Sequence, residues 1–144
     1  MEIPCLEGFP VVFDIEPRFR DTDAMGHLNH VVYITYFEVA RARYWTEMTG
    51  NRDYSAVPFI FAHVTADYRS PAFVHEILRI GVRVSRLGNR SFDCQYRIEE
   101  ASSRRLVVEG SSVQVIYDYQ RQQSAPLPDD LRERIRRFEG RADL

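Results

Sequence analysis

Between Asn29 and Met48 the apolar residues recur at helical spacing and crowd most of the helix girth, and this segment limits the folds open to the chain. Tyr33, Phe37, Ala40, Tyr44 and Met48 fall at i, i+4, i+7, i+11 and i+15, with Tyr36 and Trp45 widening the stripe. Asn29 stands where an N-cap belongs, and Gly50-Asn51 forms a stop signal. The spacing therefore predicts a helix of about five turns at 3.6 residues per turn. A helix so rich in aromatic rings must be covered on more than one side, and only a curved sheet covers it economically.

The rest of the chain supplies such a sheet. Phe13, Ile15 and Phe19 alternate with Asp14, Glu16, Arg18 and Arg20 and predict a strand, which Pro17 confines to an edge or a bulge. A polar connection over residues 21–30 leads into the helix, and a loop from Asn51 to Pro58 follows it. Ile60, Ala62, Val64, Ala66 and Tyr68 then alternate up to Pro71; Leu78, Ile80, Val82 and Val84 do the same, and so do Phe92, Cys94, Tyr96 and Ile98. Leu106–Tyr117 reads as a longer strand bent at Gly110. Residues 87–89 and 100–105 are hairpin turns, and Leu127–Phe138 is a short charged helix or turn with Leu131, Ile135 and Phe138 as its apolar side. Strands joined by short turns pair antiparallel. The expectation is an α+β fold, a five-stranded antiparallel sheet wrapped around one long central helix. With no repeat, low-complexity tract or linker, residues 1–144 form a single domain.

Composition narrows the chemistry. A chain of 144 residues, 44% apolar, buries roughly two thirds of its unfolded surface without disulfide or metal. Nineteen basic against 21 acidic residues, a net charge of −2, offer no surplus for a run of phosphates, which argues against nucleic acid as a partner. All the basic residues are arginine, and the absence of lysine excludes Schiff-base chemistry and a P-loop lysine. The two cysteines, Cys5 and Cys94, stand far apart and suit free thiols in a reducing cytosol. Glu2 and Glu7 replace a basic leader, and no run approaches the ~20 apolar residues of a membrane span. These features predict a cytoplasmic protein with no signal peptide and no membrane partner.

Titratable groups concentrate between the first strand and the helix, at Asp21, Asp23, His27, Asn29 and His30. A helix N-terminus carries unpaired N–H groups and the positive end of a dipole, so it can polarise a carbonyl or hold an oxyanion. A carboxylate beside it can take a proton from water or attack an electrophilic carbonyl. Read without further context, an aspartate placed before a helix, as Asp23 is, is more often a cap than a catalytic group, and the same holds for Asn29.

Asp21, Asp23, Gly26, His27, Asn29, Tyr33 and Glu38 stand in the order D-x-D-x-x-G-H-x-N-x-x-x-Y-x-x-x-x-E. This stretch, residues 18–45, resembles the hot-dog-fold acyl-CoA thioesterases of the 4-hydroxybenzoyl-CoA thioesterase type, and the segments 65–80, 87–98 and 127–138 fit the same family. The resemblance implies a hot-dog fold that hydrolyses an acyl-CoA or aroyl-CoA thioester to a carboxylate and coenzyme A. It assigns the catalytic carboxylate to Asp23 and the donor to the thioester carbonyl to the backbone N–H of His30. Whether Asp23 attacks directly or deprotonates a water stays open. His27 and Asn29 complete the catalytic group, with Asn29 also serving as a helix cap and His27 either orienting substrate or bonding the loop backbone. Related plant acyl-carrier-protein thioesterases place an asparagine two residues after the aspartate, where Met25 stands here, so Asp23 carries most of the chemistry.

Tyr33, His63, Arg86 and Arg90 are the expected substrate-binding residues. His63 is either on the acyl pocket or a satisfied core histidine. Arg86 and Arg90 flank the 87–89 turn, where arginine forks suit coenzyme A phosphates, or they are a solvated hairpin face. Asp21 is expected to be a structural acceptor. His27 and His30 with Asp23 make a poor zinc set, and His75-Glu76 lacks the second histidine of H-E-x-x-H, so neither metal nor cofactor is expected. Greasy surface on the helix and on strand 59–68 predicts a homodimer joined edge to edge, or a homotetramer built as a dimer of dimers. The competing functions are a hot-dog dehydratase or hydratase and a non-catalytic acyl-CoA-binding hot-dog domain.

Overall fold

The structure, a computed structural model, describes residues 6–52 and 58–144. Its elements are β1 (Val11–Ile15), α1 (Val32–Thr49), β2 (Phe59–Tyr68), β3 (Leu78–Leu87), β4 (Ser91–Glu100), β5 (Leu106–Asp118), β6 (Gln123–Ser124) and α2 (Asp129–Glu139). The strands form one antiparallel sheet in the order β1-β3-β4-β5-β2, with the two-residue β6 added to β5 as a sixth strand. The sheet wraps α1 as the aromatic stripe requires. Cys5 and most of the loop between Asn51 and Pro58 lie outside the described residues.

The helix buries Tyr33, Tyr36, Phe37, Ala40 and Tyr44 against Ile80, Val82, Val84, Cys94, Tyr96, Ile98 and Val108. Phe37 is fully buried and stacks on Tyr96 with ring centroids 4.4 Å apart. That stack is seated by Gly110 of β5. A Cβ built there would lie 2.7 Å from the Phe37 ring and 2.3 Å from the Thr65 carbonyl oxygen of β2. Gly110 thus admits the helix to close contact with the sheet, where the sequence suggested only a bend.

Polar groups within this core are paired across strands. The Tyr96 hydroxyl shares a 2.6 Å hydrogen bond with Ser112, and Ser112 donates to Gln114, whose amide donates to the Phe92 carbonyl. Burial pushes the Cys94 thiol up to about 12, so it behaves as a small apolar filler. At the far end of α1, Glu139 of α2 accepts hydrogen bonds from the Tyr44 hydroxyl at 2.7 Å and the Val84 N–H at 2.8 Å. Burial raises the Glu139 pKa.

Two sequence expectations shift. The first strand ends at Ile15, before Glu16-Pro17, and Phe19 leaves it for a single 3-10 turn, Phe19–Asp21, where it is 84% exposed. Pro17 carries no N–H to continue the ladder, and Asp21 gathers the Arg18 backbone and guanidinium instead. The helix begins at Val32 and not at Asn29, because Asn29 Oδ1 accepts the Val31 N–H and closes an Asx turn ahead of the first helical residue.

The hairpin between β4 and β5 carries a testable electrostatic device. The Glu100 carboxylate accepts the backbone N–H groups of Ser102 and Ser103 and the Ser102 hydroxyl at 2.8–3.0 Å, which holds its pKa down at about 2. A depressed carboxylate pKa stabilises the fold above the unfolded value near 4.5, and the contribution is lost as pH falls toward 2. Glu100→Gln should therefore lower Tm at neutral pH and narrow the gap to wild type progressively between pH 5 and pH 2. A gap that stays constant with pH in thermal melts would assign the loss to packing.

Candidate active site

Asp21 anchors the loop that leads into α1. Burial alone would raise its carboxyl pKa, but the Arg18 guanidinium at 2.9 Å, the Arg18 N–H at 3.0 Å and the Tyr36 hydroxyl at 2.8 Å hold it below the ordinary carboxylate range. Its backbone carbonyl accepts the Asn29 N–H at 2.8 Å. At 4% exposure and with its bonds spent on Arg18, Asn29 and Tyr36, Asp21 is the structural acceptor that the sequence suggested.

Two residues on, the chain turns back on itself. The Asp23 N–H donates to the His27 carbonyl at 2.8 Å, the Gly26 N–H donates to the Asp23 carbonyl at 3.1 Å, and Gly26 takes φ 83°, a left-handed conformation that favours glycine. The side chain of Asp23 braces the same turn. Its Oδ1 accepts the Met25 N–H at 2.9 Å and the His27 N–H at 3.3 Å. Its Oδ2 takes no hydrogen bond from the described residues, so a half-buried carboxylate is fixed by one oxygen and offers the other.

The rest of the motif closes around it. The Leu28 N–H donates to the Ala72 carbonyl at 2.8 Å, and the His27 ring stands edge-on to Phe73 at 5.3 Å. Asn29 binds the Val31 N–H through its side chain at 3.1 Å and the Val32 N–H through its carbonyl at 3.0 Å. His30 is exposed, and its N–H meets no acceptor among the described residues. Tyr33 is buried beneath, its ring tilted against Tyr68 at 5.7 Å, and burial pushes its hydroxyl up to about 12. Among the described residues, the loop leading into the positive end of this five-turn helix leaves one carboxylate oxygen and one N–H without partners, groups that can attack and polarise a carbonyl.

Asp23, His27, Asn29, His30 and Tyr33 are thus gathered at one end of α1. The other expected residues stand apart within the chain. His63 lies on β2, but the register slips between Phe61 and His63. Phe59 and Phe61 face the helix side, where they meet Trp45 and Arg41, and beyond the slip Val64 and Ala66 take that face. The extra residue turns His63 outward with Thr65, so it is exposed and neither a core histidine nor a wall of the helix–sheet seam.

Arg86 and Arg90 are exposed at the β3–β4 turn, Arg86 4.0 Å from Asp93 and Arg90 donating to the Ser124 carbonyl at 2.8 Å. The Arg90 carbonyl bonds Ile116, which pairs with Phe59, whereas the Asp23 loop sits beyond Tyr68 at the opposite end of β2. Ten residues at ~3.3 Å per residue separate those ends by about 30 Å.

Sequence reasoning misses Tyr36, Arg18 and Tyr68, which fix Asp21 and the His30 carbonyl. All three read locally as stripe or strand residues, and only the folded chain brings them to the loop. Among the described residues no three His, Cys, Asp or Glu side chains group to hold a metal ion, and no helix is long and apolar enough to cross a membrane.

Comparison with known proteins follows the same line. The chain is 34% identical to a thioesterase from Thermus thermophilus whose crystal structure is complexed with coenzyme A and Zn, with a TM-score of 0.85 over 94% of this chain and 98% of that one. It is 28% identical over 95 residues to the acyl-CoA thioester hydrolase YbgC of Escherichia coli, covering 61% of this chain and 68% of that protein. It is also 30% identical over 82 residues to YsmA of Bacillus subtilis, a match that spans 57% of this chain and 56% of YsmA, just over half of that protein's length. The family model of the thioesterase-like superfamily matches residues 17–135, which take in the Asp23 loop, α1 and the whole sheet apart from β1. With its hot-dog fold and that match, the chain belongs to the thioesterase-like superfamily.

Proposed function

We propose that this protein is an acyl-CoA thioesterase that hydrolyses an acyl-CoA or aroyl-CoA thioester to a free carboxylate and coenzyme A. The observation that carries the reading is that the loop leading into α1 leaves one Asp23 carboxylate oxygen and the His30 N–H without partners among the described residues. The thioester carbonyl oxygen accepts the His30 N–H, which stabilises the negative charge that develops on it. Asp23 then either adds to the carbonyl carbon, expelling the thiolate and leaving a mixed anhydride for water to open, or removes a proton from the water that attacks. In both routes the thiolate leaves as coenzyme A and takes up a proton. Thioesters have little resonance stabilisation, so a carboxylate and one aimed donor suffice. The Escherichia coli relative named as an acyl-CoA thioester hydrolase and the Thermus relative complexed with coenzyme A support the substrate class. The free, buried Cys94 is consistent with a reducing cytoplasm.

The same reading includes a homodimer. β2 is one of the two outer strands of the sheet, ten residues long, and Phe61 on it is 42% exposed. Two β2 strands paired antiparallel about a two-fold axis would continue the sheet across both copies. That pairing lays the Phe59 end of one copy beside the Tyr68 end of the other. Arg90 of the partner subunit then stands at the end of the sheet that carries Asp23, where its fork can meet coenzyme A phosphates. A dimer of such dimers, a homotetramer, is the further assembly that this reading allows.

A free-thiol release assay over acyl-CoA and aroyl-CoA thioesters tests the activity, and retention of coenzyme A thioesters without thiol release would return the chain to the non-catalytic binding class. In the same assay Arg90→Ala should raise KM about threefold to tenfold, a modest loss because the side chain is exposed, with kcat little changed. The effect should vanish with an acyl-pantetheine thioester, which has no nucleotide. If the site is shared, mixing Arg90→Ala chains with Asp23→Asn chains should restore one intact site per mixed dimer. Equal impairment on both substrates would make Arg90 a structural link to Ser124.

A further inference from the structure

The peptide that joins His30 to Val31 is held from both sides. Its N–H donates to Asn29 Oδ1 at 3.1 Å, and its carbonyl accepts the Tyr68 hydroxyl at 2.8 Å. The preceding peptide is held at its carbonyl, which accepts the Val32 N–H at 3.0 Å, and this leaves the His30 N–H as the one group of the two peptides without a partner among the described residues. Tyr68 reaches this position from the last residue of β2, some 38 residues further along the chain. Its ring is set by Tyr33 at 5.7 Å on one side and the His30 imidazole at 6.2 Å on another. Tyr33 is itself wedged edge-on against Tyr36, whose hydroxyl is bound to Asp21. A line of three tyrosines therefore connects the loop anchor to the start of the helix.

We propose that Tyr68 is a positioning residue for thioester hydrolysis: its hydroxyl and Asn29 clamp the His30–Val31 peptide so that the adjacent His30 N–H is aimed at the substrate carbonyl. The inference rests on the thioesterase reading above and adds to it a residue outside the D-x-D-x-x-G-H-x-N segment. The physical reason is that a donor lowers the barrier only when it already points to where the oxyanion forms, since reorienting it during the reaction costs what the hydrogen bond returns. A helix whose first turn begins two residues later does not fix the His30 peptide by itself; a bond on each side of the neighbouring peptide does. Tyr68 is 49% exposed, so its hydroxyl is not needed to fill the core, and an apolar ring of the same shape leaves the Tyr33 contact in place.

Tyr68→Phe tests this in the intact chain. Turnover of a good acyl-CoA substrate is expected to fall about tenfold with KM within twofold of wild type, because the lost bond acts on the transition state and not on coenzyme A. The shape of the pH–rate profile should not change, as the hydroxyl transfers no proton. Asn29→Ala should lower kcat as well, and the double variant should lose less than the product of the two single losses, because both bonds hold one peptide. Unchanged kcat, a rise confined to KM, an altered basic limb of the profile, or strictly multiplicative losses would each overturn the proposal. So would a Tyr68→Phe chain that fails to fold, which would make the hydroxyl structural. A wild-type chain that releases no thiol from any thioester would remove the thioesterase reading and this inference together; an active wild type with an equally active Tyr68→Phe removes only the inference.

Discussion

Asp23→Asn should lower turnover by ~10² or more while the folded protein keeps its Tm and its circular dichroism. The asparagine side chain retains an oxygen that can accept the Met25 and His27 N–H groups, so the turn that Asp23 braces at 2.9 and 3.3 Å survives the change. What disappears is the second carboxylate oxygen, which the described residues leave unbonded and which alone can act as base or nucleophile. Substrate binding should change little, because the His30 N–H and the arginines proposed to hold the nucleotide are untouched, and the loss should fall on kcat. Thiol release under single-turnover conditions separates the two effects. A well-folded Asp23→Asn protein with near-normal turnover would remove Asp23 from the chemistry and leave it as a loop brace.

The largest expected effect on stability is at Gly110. Its missing side chain is where the Phe37 ring and the Thr65 carbonyl oxygen already lie, at 2.7 and 2.3 Å from the position a Cβ would take. Gly110→Ala must push β2 away from β5 or lift α1 off the sheet, since a backbone oxygen cannot swing aside as a flexible side chain can. Overpacking of this kind costs about 1–3 kcal/mol, and contact with backbone puts it near the top of that range. At about 4 °C per kcal/mol for a chain of this size, Tm should fall by about 10 °C. Calorimetry that finds Tm within a degree of wild type would mean that the seam between helix and sheet has slack.

The long helix, the alternating strands and the hairpin turns were legible because each follows from a local period. The Asp23 loop was legible because its residues are contiguous. The face of His63 was not. Phe59, Ile60, Phe61 and Ala62 are apolar on both sides of the strand, so no alternation marks the slip at which β2 changes parity. The buried Ser112 and Gln114 could not be foreseen either, since their partners Tyr96, Cys94 and Phe92 lie across the neighbouring strand. The same holds for Tyr68, whose place in β2 is set by alternation and whose hydroxyl finds its partner only through tertiary contact. The relation of Arg90 to Asp23 is a matter of which end of a strand each occupies, and spacing along the chain does not encode it.

Glu139 has a consequence beyond the stability of α2. β1 pairs with β3 only as far as Val11 opposite Val82, so the Val84 N–H would otherwise face outward as a bare rung on that side of the sheet. The Glu139 carboxylate occupies it, and a second chain that approached there as a strand would meet a charged side chain and a helix instead of a free ladder. The sheet is therefore one-sided in its capacity to grow: one margin is short and plugged, and β2 is the long open margin among the described residues. An open margin used by two copies facing one another is consumed in the act, which yields a finite particle and not a filament. Loss of the Glu139 plug, by contrast, would give each chain two sticky margins, the minimum needed for polymerisation.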